Sequence, residues 1–130
     1  ACANATPGAA DSRRRRLLQE YACEAGKIAG IVRSFLHAAA GWNHYQNAQR
    51  GALRVDIVTA LTRANAAFTE ASRSTIEVME SIERVKAPFL QPHLLQALAP
   101  LHQWLADTRD RVRSLRKEVE AGGLDEIPPL

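Results

Sequence analysis

Three stretches of this sequence repeat apolar residues at alternating spacings of three and four, which is the pattern of helices that pack against other helices. The first stripe consists of Leu18, Tyr21, Ala25, Ile28, Val32, Phe35, Ala39 and Trp42. The second stripe consists of Ile57, Leu61, Ala64, Phe68, Ala71, Thr75, Val78, Ile82 and Val85. The third stripe consists of Leu94, Leu98, Leu101, Leu105, Thr108, Val112, Leu115 and Val119. No strand pattern competes with these stripes, so the fold class is predicted to be all-α.

The architecture predicted from the three stripes is an up-down-up bundle of three long helices with coiled-coil-like packing. The helices are predicted at about 13–41, 52–86 and 93–121. The chain then divides into an N-terminal tail, a helical bundle domain and a C-terminal tail, at 1–12, 13–123 and 124–130. Many stripe positions are Ala or Thr, which bury little area, so we expect a partner helix or a larger assembly to complete the bundle.

Proline and glycine mark the helix ends. Pro88 is predicted to stop the second helix, and Gly122 and Gly123 are predicted to end the third, because Gly favours the left-handed cap position. Pro100 lies inside the third stripe, where its ring clashes with the preceding turn. We therefore expect the third helix to be kinked or restarted near Pro100.

Two glycines four residues apart, Gly26 and Gly30, lie inside the first predicted helix. Glycine in a helix interior costs roughly 0.5–1 kcal/mol relative to Ala. A neighbouring helix that approaches closely at this point would offset that cost.

Composition excludes several classes of protein. Apolar residues make up 46% of the chain and the net charge is only +3, which is typical of a globular domain. Cys2 and Cys23 do not make a disulfide framework, so we expect an intracellular protein, cytoplasmic or organellar. No secretory signal is visible, and no apolar run reaches the length of a membrane span.

The residues that carry catalysis do not form a recognisable pattern. His37 and His44 lack a suitably spaced carboxylate nearby, and His93 and His102 do not have helical ligand spacing. The Glu-x-x-His and Cys-x-x-Cys motifs and a Gly-rich phosphate loop are all absent from the sequence. We therefore predict that the protein is not an enzyme and holds no metal or other cofactor.

A run of four arginines, Arg13, Arg14, Arg15 and Arg16, opens the first predicted helix. Cations there oppose the helix dipole and cost about 0.3–1 kcal/mol of helix stability. A cluster that lowers local stability is predicted to contact a partner such as RNA, DNA or an acidic protein surface. The alternative is a solvated basic tail.

The segment GWNHYQNAQRG, residues 41–51, has two interpretations. It is predicted to connect the first two helices, with Trp42 and Tyr45 packed at the end of the bundle. The alternative is a recognition patch at that pole, formed by Trp42, Tyr45, Arg50 and Arg54, because these residue types anchor protein interfaces.

The stretches AAFTEASRSTIEVMESIE (66–83) and PHLLQALAPLHQWLADTR (92–109) together resemble the helical "required for excision" family of DNA-repair accessory proteins. The resemblance is one of helical pattern and covers about a third of the chain. It implies an all-helical fold and an accessory role near nucleic acid, and it assigns no functional residue.

The function expected from these observations is that of a non-enzymatic interaction or scaffold subunit in a larger protein assembly. A nucleic-acid accessory protein that works through Arg13–Arg16 is the first alternative. A helical ligand-sensing bundle is the second. We also expect the first two helices to pack antiparallel, with Phe35 and Trp42 buried near Ile57 and Leu61.

Overall fold

The fold is a bundle of three helices, seen in a computed structural model that describes residues 10–84 and 91–130. They are α1 (Ala10–Arg50), α2 (Arg54–Arg84) and α3 (Gln91–Glu120), and the described residues include no strand. Helix α2 packs against both neighbours, whereas the direct contact between α1 and α3 is slight. The predicted all-α bundle is therefore confirmed, with α2 as its central helix.

Helices α1 and α2 run antiparallel, as three contacts along their length show. The ring of Phe68 covers Gly41, and Val78 packs on Gly30. Between these two contacts, the hydroxyl oxygens of Thr75 and Ser34 lie 3.0 Å apart. The same register places the described end of α2 beside residue 24 or so. Helix α1 therefore projects past that end by about 20 Å, at 1.5 Å per residue.

The side of α1 that faces α2 is lined with small and polar residues. Its buried residues are Lys27, Gly30, Ser34, Gly41, Tyr45 and Ala48. A Cβ on Gly41 would stand 3.0 Å from the Phe68 ring, and a Cβ on Gly30 would collide with Val78. The two helix axes can approach closely because these side chains are missing, and α2 supplies the large side chains that fill the interface.

The prediction that the first stripe is buried inside the bundle is wrong. Tyr21 is 70% exposed, Phe35 is 57% exposed and Trp42 is 40% exposed. The physical reason is that α1 carries two rows at helical spacing. The small row permits closer packing against α2, so it takes the inner side, and the large row turns outward.

The second and third stripes are buried as predicted. The buried members of the second stripe are Ile57, Leu61, Ala64, Phe68, Ala71, Thr75, Val78 and Ile82, and Val85 lies outside the described residues. Those of the third stripe are Leu98, Leu105, Thr108, Val112, Leu115 and Val119, with Leu94 and Leu101 half-buried. Most of these side chains form one cluster towards the α1–α2 connection, and a smaller cluster forms around Val78, Ile82 and Leu98.

Two predicted helix ends differ from the structure. Helix α1 does not end at Gly41 but continues to Arg50, because Gly41 is needed inside the helix for contact with Phe68. The segment 41–51 is thus helical apart from Gly51, and the connection to α2 is only residues 51–53. At the other end, Ala10, Asp11 and Ser12 already lie in α1 rather than in a tail, while residues 1–9 lie outside the described part.

Helix α3 passes through Pro100 as one helix, so it does not restart there. Its C-terminal end is the glycine cap that the sequence predicts. Gly122 has a φ of +78°, and its amide donates to the Val119 carbonyl at 3.0 Å. The Gly123 amide donates to the Glu118 carbonyl at 2.9 Å, which completes a Schellman motif.

The close approach of α1 and α2 can be tested at Gly30, with Gly26 as the matched control. Gly30→Ala should lower the free energy of unfolding by about 1–3 kcal/mol, because the new methyl group collides with the stiff Val78 side chain. Gly26→Ala should raise it by about 0.5–1 kcal/mol, since no atom lies within 4 Å of a Cβ there. Urea denaturation measures the free energy of unfolding of both variants. An equal increase for Gly30→Ala and Gly26→Ala would contradict the close packing at Gly30.

Candidate interaction surface

The exposed side of α1 carries eight large apolar residues. They are Leu17, Leu18, Tyr21, Ile28, Val32, Phe35, Leu36 and Trp42, each between 40% and 70% exposed. At 100° per residue they fall within an arc of roughly 120°, on the side of α1 away from Gly30 and Ser34. Their span along the helix, from residue 17 to residue 42, is about 37 Å.

The area of this surface exceeds what an isolated protein usually exposes. The eight side chains leave on the order of 800 Å² accessible, given their exposed fractions and about 150–250 Å² for a large side chain. The largest apolar patch of a monomeric protein is typically about 300–600 Å², and larger patches mark interaction sites. Six of these eight residues belong to the first stripe, and Leu17 and Leu36 adjoin it, so this side of α1 is the strongest candidate site on the described residues.

A cleft extends this surface at the Trp42 end, between α1 and α3. It has a volume of about 220 Å³ and is lined by Trp42, Trp104, Asp107, Thr108, Arg111 and Leu130. Trp104 is 47% exposed, and its ring meets the buried Phe68 ring edge to face, with the centroids 6.1 Å apart. The core thus reaches the surface through Trp104, beside the exposed Trp42.

The last residues of the chain pack on the bundle near this cleft. The Tyr45 hydroxyl and the Gln49 amide both donate to the Pro128 carbonyl, the latter at 3.3 Å. Arg111 donates to the Pro129 carbonyl at 3.2 Å, and three apolar side chains of this segment pack on the core. These are Leu124, Ile127 and Leu130. Contacts within the chain therefore hold this segment on the bundle.

Tyr45 is fully buried, so it cannot act as the exposed anchor predicted for the pole of the bundle. Burial raises the pKa of its phenol above the ordinary value of 10.0, and the positive charge of Arg111 opposes part of that rise. Tyr45 instead ties α1 to the C-terminal segment.

The run Arg13–Arg16, which was predicted to contact a partner, lies far from the recognition patch predicted at the α1–α2 end of the bundle. Arg13–Arg16 are exposed on the projecting part of α1, and Arg16 lies about 39 Å along the helix from Trp42. Arg50 is exposed at the end of α1. Arg54 lies over the glycine cap of α3, with its guanidinium 3.2 Å from where a Cβ on Gly122 would stand.

Sequence reasoning identified the residues of the first stripe but assigned them to the interior. The missed signal was the second row, in which residues also repeat at spacings of three or four: Gly30, Ser34, Ala38, Gly41, Tyr45 and Ala48. Two such rows on one helix indicate two packing neighbours, and the smaller row marks the closer one.

Two further findings bear on the chemistry of the described residues. No group of three or more His, Cys, Asp or Glu side chains is placed to hold a metal ion within 10–84 and 91–130. Across the same residues, no helix combines the length and the apolar character needed to cross a bilayer.

Comparison with protein-family models, with curated proteins and with solved structures gives no match for this chain. The resemblance to the "required for excision" family therefore gains no support from the family models. What the geometry itself defines is an all-α bundle with a large apolar face on α1 that none of the described residues covers.

The link between Tyr45 and the C-terminal segment predicts a pH dependence. Tyr45→Phe should lower the free energy of unfolding by about 1 kcal/mol at neutral pH, because the Pro128 carbonyl loses one of its two donors and keeps only the Gln49 amide. The raised pKa means that the stabilisation is complete below pH 10 or so and is lost as the pH rises through the folded-state pKa. The wild type should thus lose more stability in alkali than Tyr45→Phe.

Parallel slopes for the wild type and Tyr45→Phe in urea titrations between neutral and alkaline pH would contradict the role given to Tyr45.

Proposed function

We propose that this protein is a non-enzymatic helical interaction subunit, and that the first stripe on α1 binds an apolar helix of a partner protein. The observation that carries the proposal is the set of eight large apolar side chains that α1 leaves exposed. Exposed apolar area of this size favours association, because burying it removes water from apolar surface.

The two rows of α1 support this function physically. The small row packs α1 against α2 at Gly30 and Gly41, and the hydroxyl groups of Ser34 and Thr75 are hydrogen-bonded across the same contact. The large row, which is the first stripe, has the 3-4 spacing of a helix-packing surface, although none of the described residues covers it. Helix α1 would then sit between its own α2 and a helix of the partner, as an inner helix of a larger bundle.

The interaction surface proposed here is centred on the middle of α1. That differs from the pole of the bundle, where the sequence placed Trp42, Tyr45, Arg50 and Arg54. Trp42 belongs to the proposed surface because it ends the first stripe and remains 40% exposed.

The nucleic-acid alternative has weaker support. Consecutive residues of a helix point about 100° apart, so Arg13–Arg16 point in four directions and do not form one basic face. A groove that follows a phosphate backbone needs cations on one side. A ligand-sensing function is supported least. The Trp42–Trp104 cleft of about 220 Å³ is smaller than the pockets of about 300–1,000 Å³ that hold small molecules. A larger cleft of about 390 Å³ between α2 and α3 has Ile76 as the one apolar residue in its lining, whereas such pockets are lined mostly by apolar side chains.

Photo-cross-linking in the native cells tests the proposed function. A benzophenone amino acid at Val32 should give a discrete protein adduct, because this position lies in the middle of the first stripe. The adduct should disappear when Phe35→Glu is added, since a charge disfavours burial of the surface. The same probe at Thr62, an exposed position of α2, is the control and should give no adduct.

A failure of the Val32 probe to give any adduct that depends on Phe35 would overturn the proposed function. Circular dichroism of purified Phe35→Glu should match that of the wild type, because Phe35 makes little contact within the chain at 57% exposure. An equal Thr62 adduct would show that the cross-linking reports only random collisions, and it too would overturn the proposal.

A further inference from the structure

We infer that the partner helix is the α1 of a second copy of this chain, which packs antiparallel on the first stripe to form a symmetric dimer. This inference rests on the proposed function and specifies its partner. The first stripe has eight positions, so antiparallel pairing about its centre, between Ile28 and Val32, brings each position opposite another member of the same stripe.

The sizes of the paired side chains are complementary in this register. Tyr21 lies opposite Ala39 of the other copy, and Phe35 lies opposite Ala25. The two alanines of the stripe therefore meet two of its three aromatic residues. Large residues facing small ones give interdigitated layers at high packing density.

The remaining pairs fit the same register. Ile28 lies opposite Val32 at the centre, and Trp42 lies opposite Leu18 at each end. Each pair joins the two kinds of core position of the heptad, which is the layer pattern of antiparallel coiled coils.

Parallel pairing is disfavoured by both size and charge. It would place Tyr21 on Tyr21 and Ala25 on Ala25, so some layers would be overfilled and others empty. It would also bring the two Arg13–Arg16 runs side by side, eight positive charges at one end. Antiparallel pairing separates the runs, and it places Arg14 opposite Gln46 and Asp11 opposite Gln49.

The available area matches what a stable dimer requires. A standard interface buries about 800 Å² on each partner, and the eight exposed residues of α1 offer a similar area. The projecting part of α1 also acquires a neighbour in this arrangement. Its residues 10–23 would lie along residues 37–50 of the other copy, beside the Trp42–Trp104 cleft.

Sedimentation of the purified chain is the first test. The wild type should be a dimer in a reversible equilibrium with monomer. Phe35→Glu should raise the dissociation constant at least about 25-fold, as expected for an anchor residue in the centre of an interface. Thr62→Glu should leave the constant unchanged, because Thr62 lies on the exposed side of α2.

Two double variants of opposite charge show whether substituted chains remain folded and whether the first stripe of one copy pairs with the first stripe of another. Ile28→Glu with Val32→Glu should be monomeric alone, because four carboxylates would meet at the dimer centre. Ile28→Lys with Val32→Lys should be monomeric for the corresponding reason. A mixture of the two variants should form a heterodimer, since opposite charges then face each other.

Cysteine cross-linking tests the antiparallel register. In a chain with Cys2→Ser and Cys23→Ser, Ala29→Cys lies near the twofold axis and should give a dimer with a short bifunctional maleimide. Ala22→Cys should not, because antiparallel pairing separates the two copies of that position by about 24 Å along the helix. Cross-linking of both variants would indicate parallel pairing and would overturn the inference.

The outcomes separate this inference from the proposed function. A purified chain that stays monomeric, while the Val32 probe gives a Phe35-dependent adduct with a different protein, would overturn the dimer and leave the interaction function standing. An adduct of twice the chain mass of 14.3 kDa, together with a wild-type dimer in sedimentation, supports both.

Discussion

The close approach of α1 to α2 is the constraint on which the rest of the structure depends. Gly30 and Gly41 remove the side chains that would hold the axes apart, and Val78 and Phe68 of α2 enter the space. The Ser34 hydroxyl donates to the Gly30 carbonyl at 3.1 Å and accepts from Thr75, so the polar groups of this contact are satisfied. Because the small row packs against α2, the large row on the opposite side of the same helix faces outward.

The sequence was sufficient for the fold class and for two of the three packing faces. In α2 and α3, one row alone has the 3-4 spacing, so the large apolar side chains and the buried side coincide, as at Phe68 and Leu105. In α1, two rows compete, and hydrophobicity alone favours the wrong one. Interhelix distance decided the outcome, and a sequence pattern does not report distance.

The C-terminal segment and the candidate site also show that a local sequence pattern does not reveal which distant residues a side chain contacts. Tyr45 is an aromatic residue near a predicted turn, which suggested a surface role, yet its hydroxyl meets Pro128 more than eighty positions later in the chain. Nothing in the local sequence signals that contact. Conversely, Phe35 and Trp42 were assigned to the interior because they are large and apolar, yet the structure leaves both side chains exposed.

The division of α1 into two rows has a consequence for how such a chain can change over evolutionary time. Residues that fix the fold, such as Gly30 and Ser34, are separate from residues that face outward, such as Ile28 and Phe35. Exposed positions usually tolerate substitution with little effect on stability, within about 0.5 kcal/mol. Substitutions in the first stripe can therefore change the surface that the chain presents while the bundle itself is preserved.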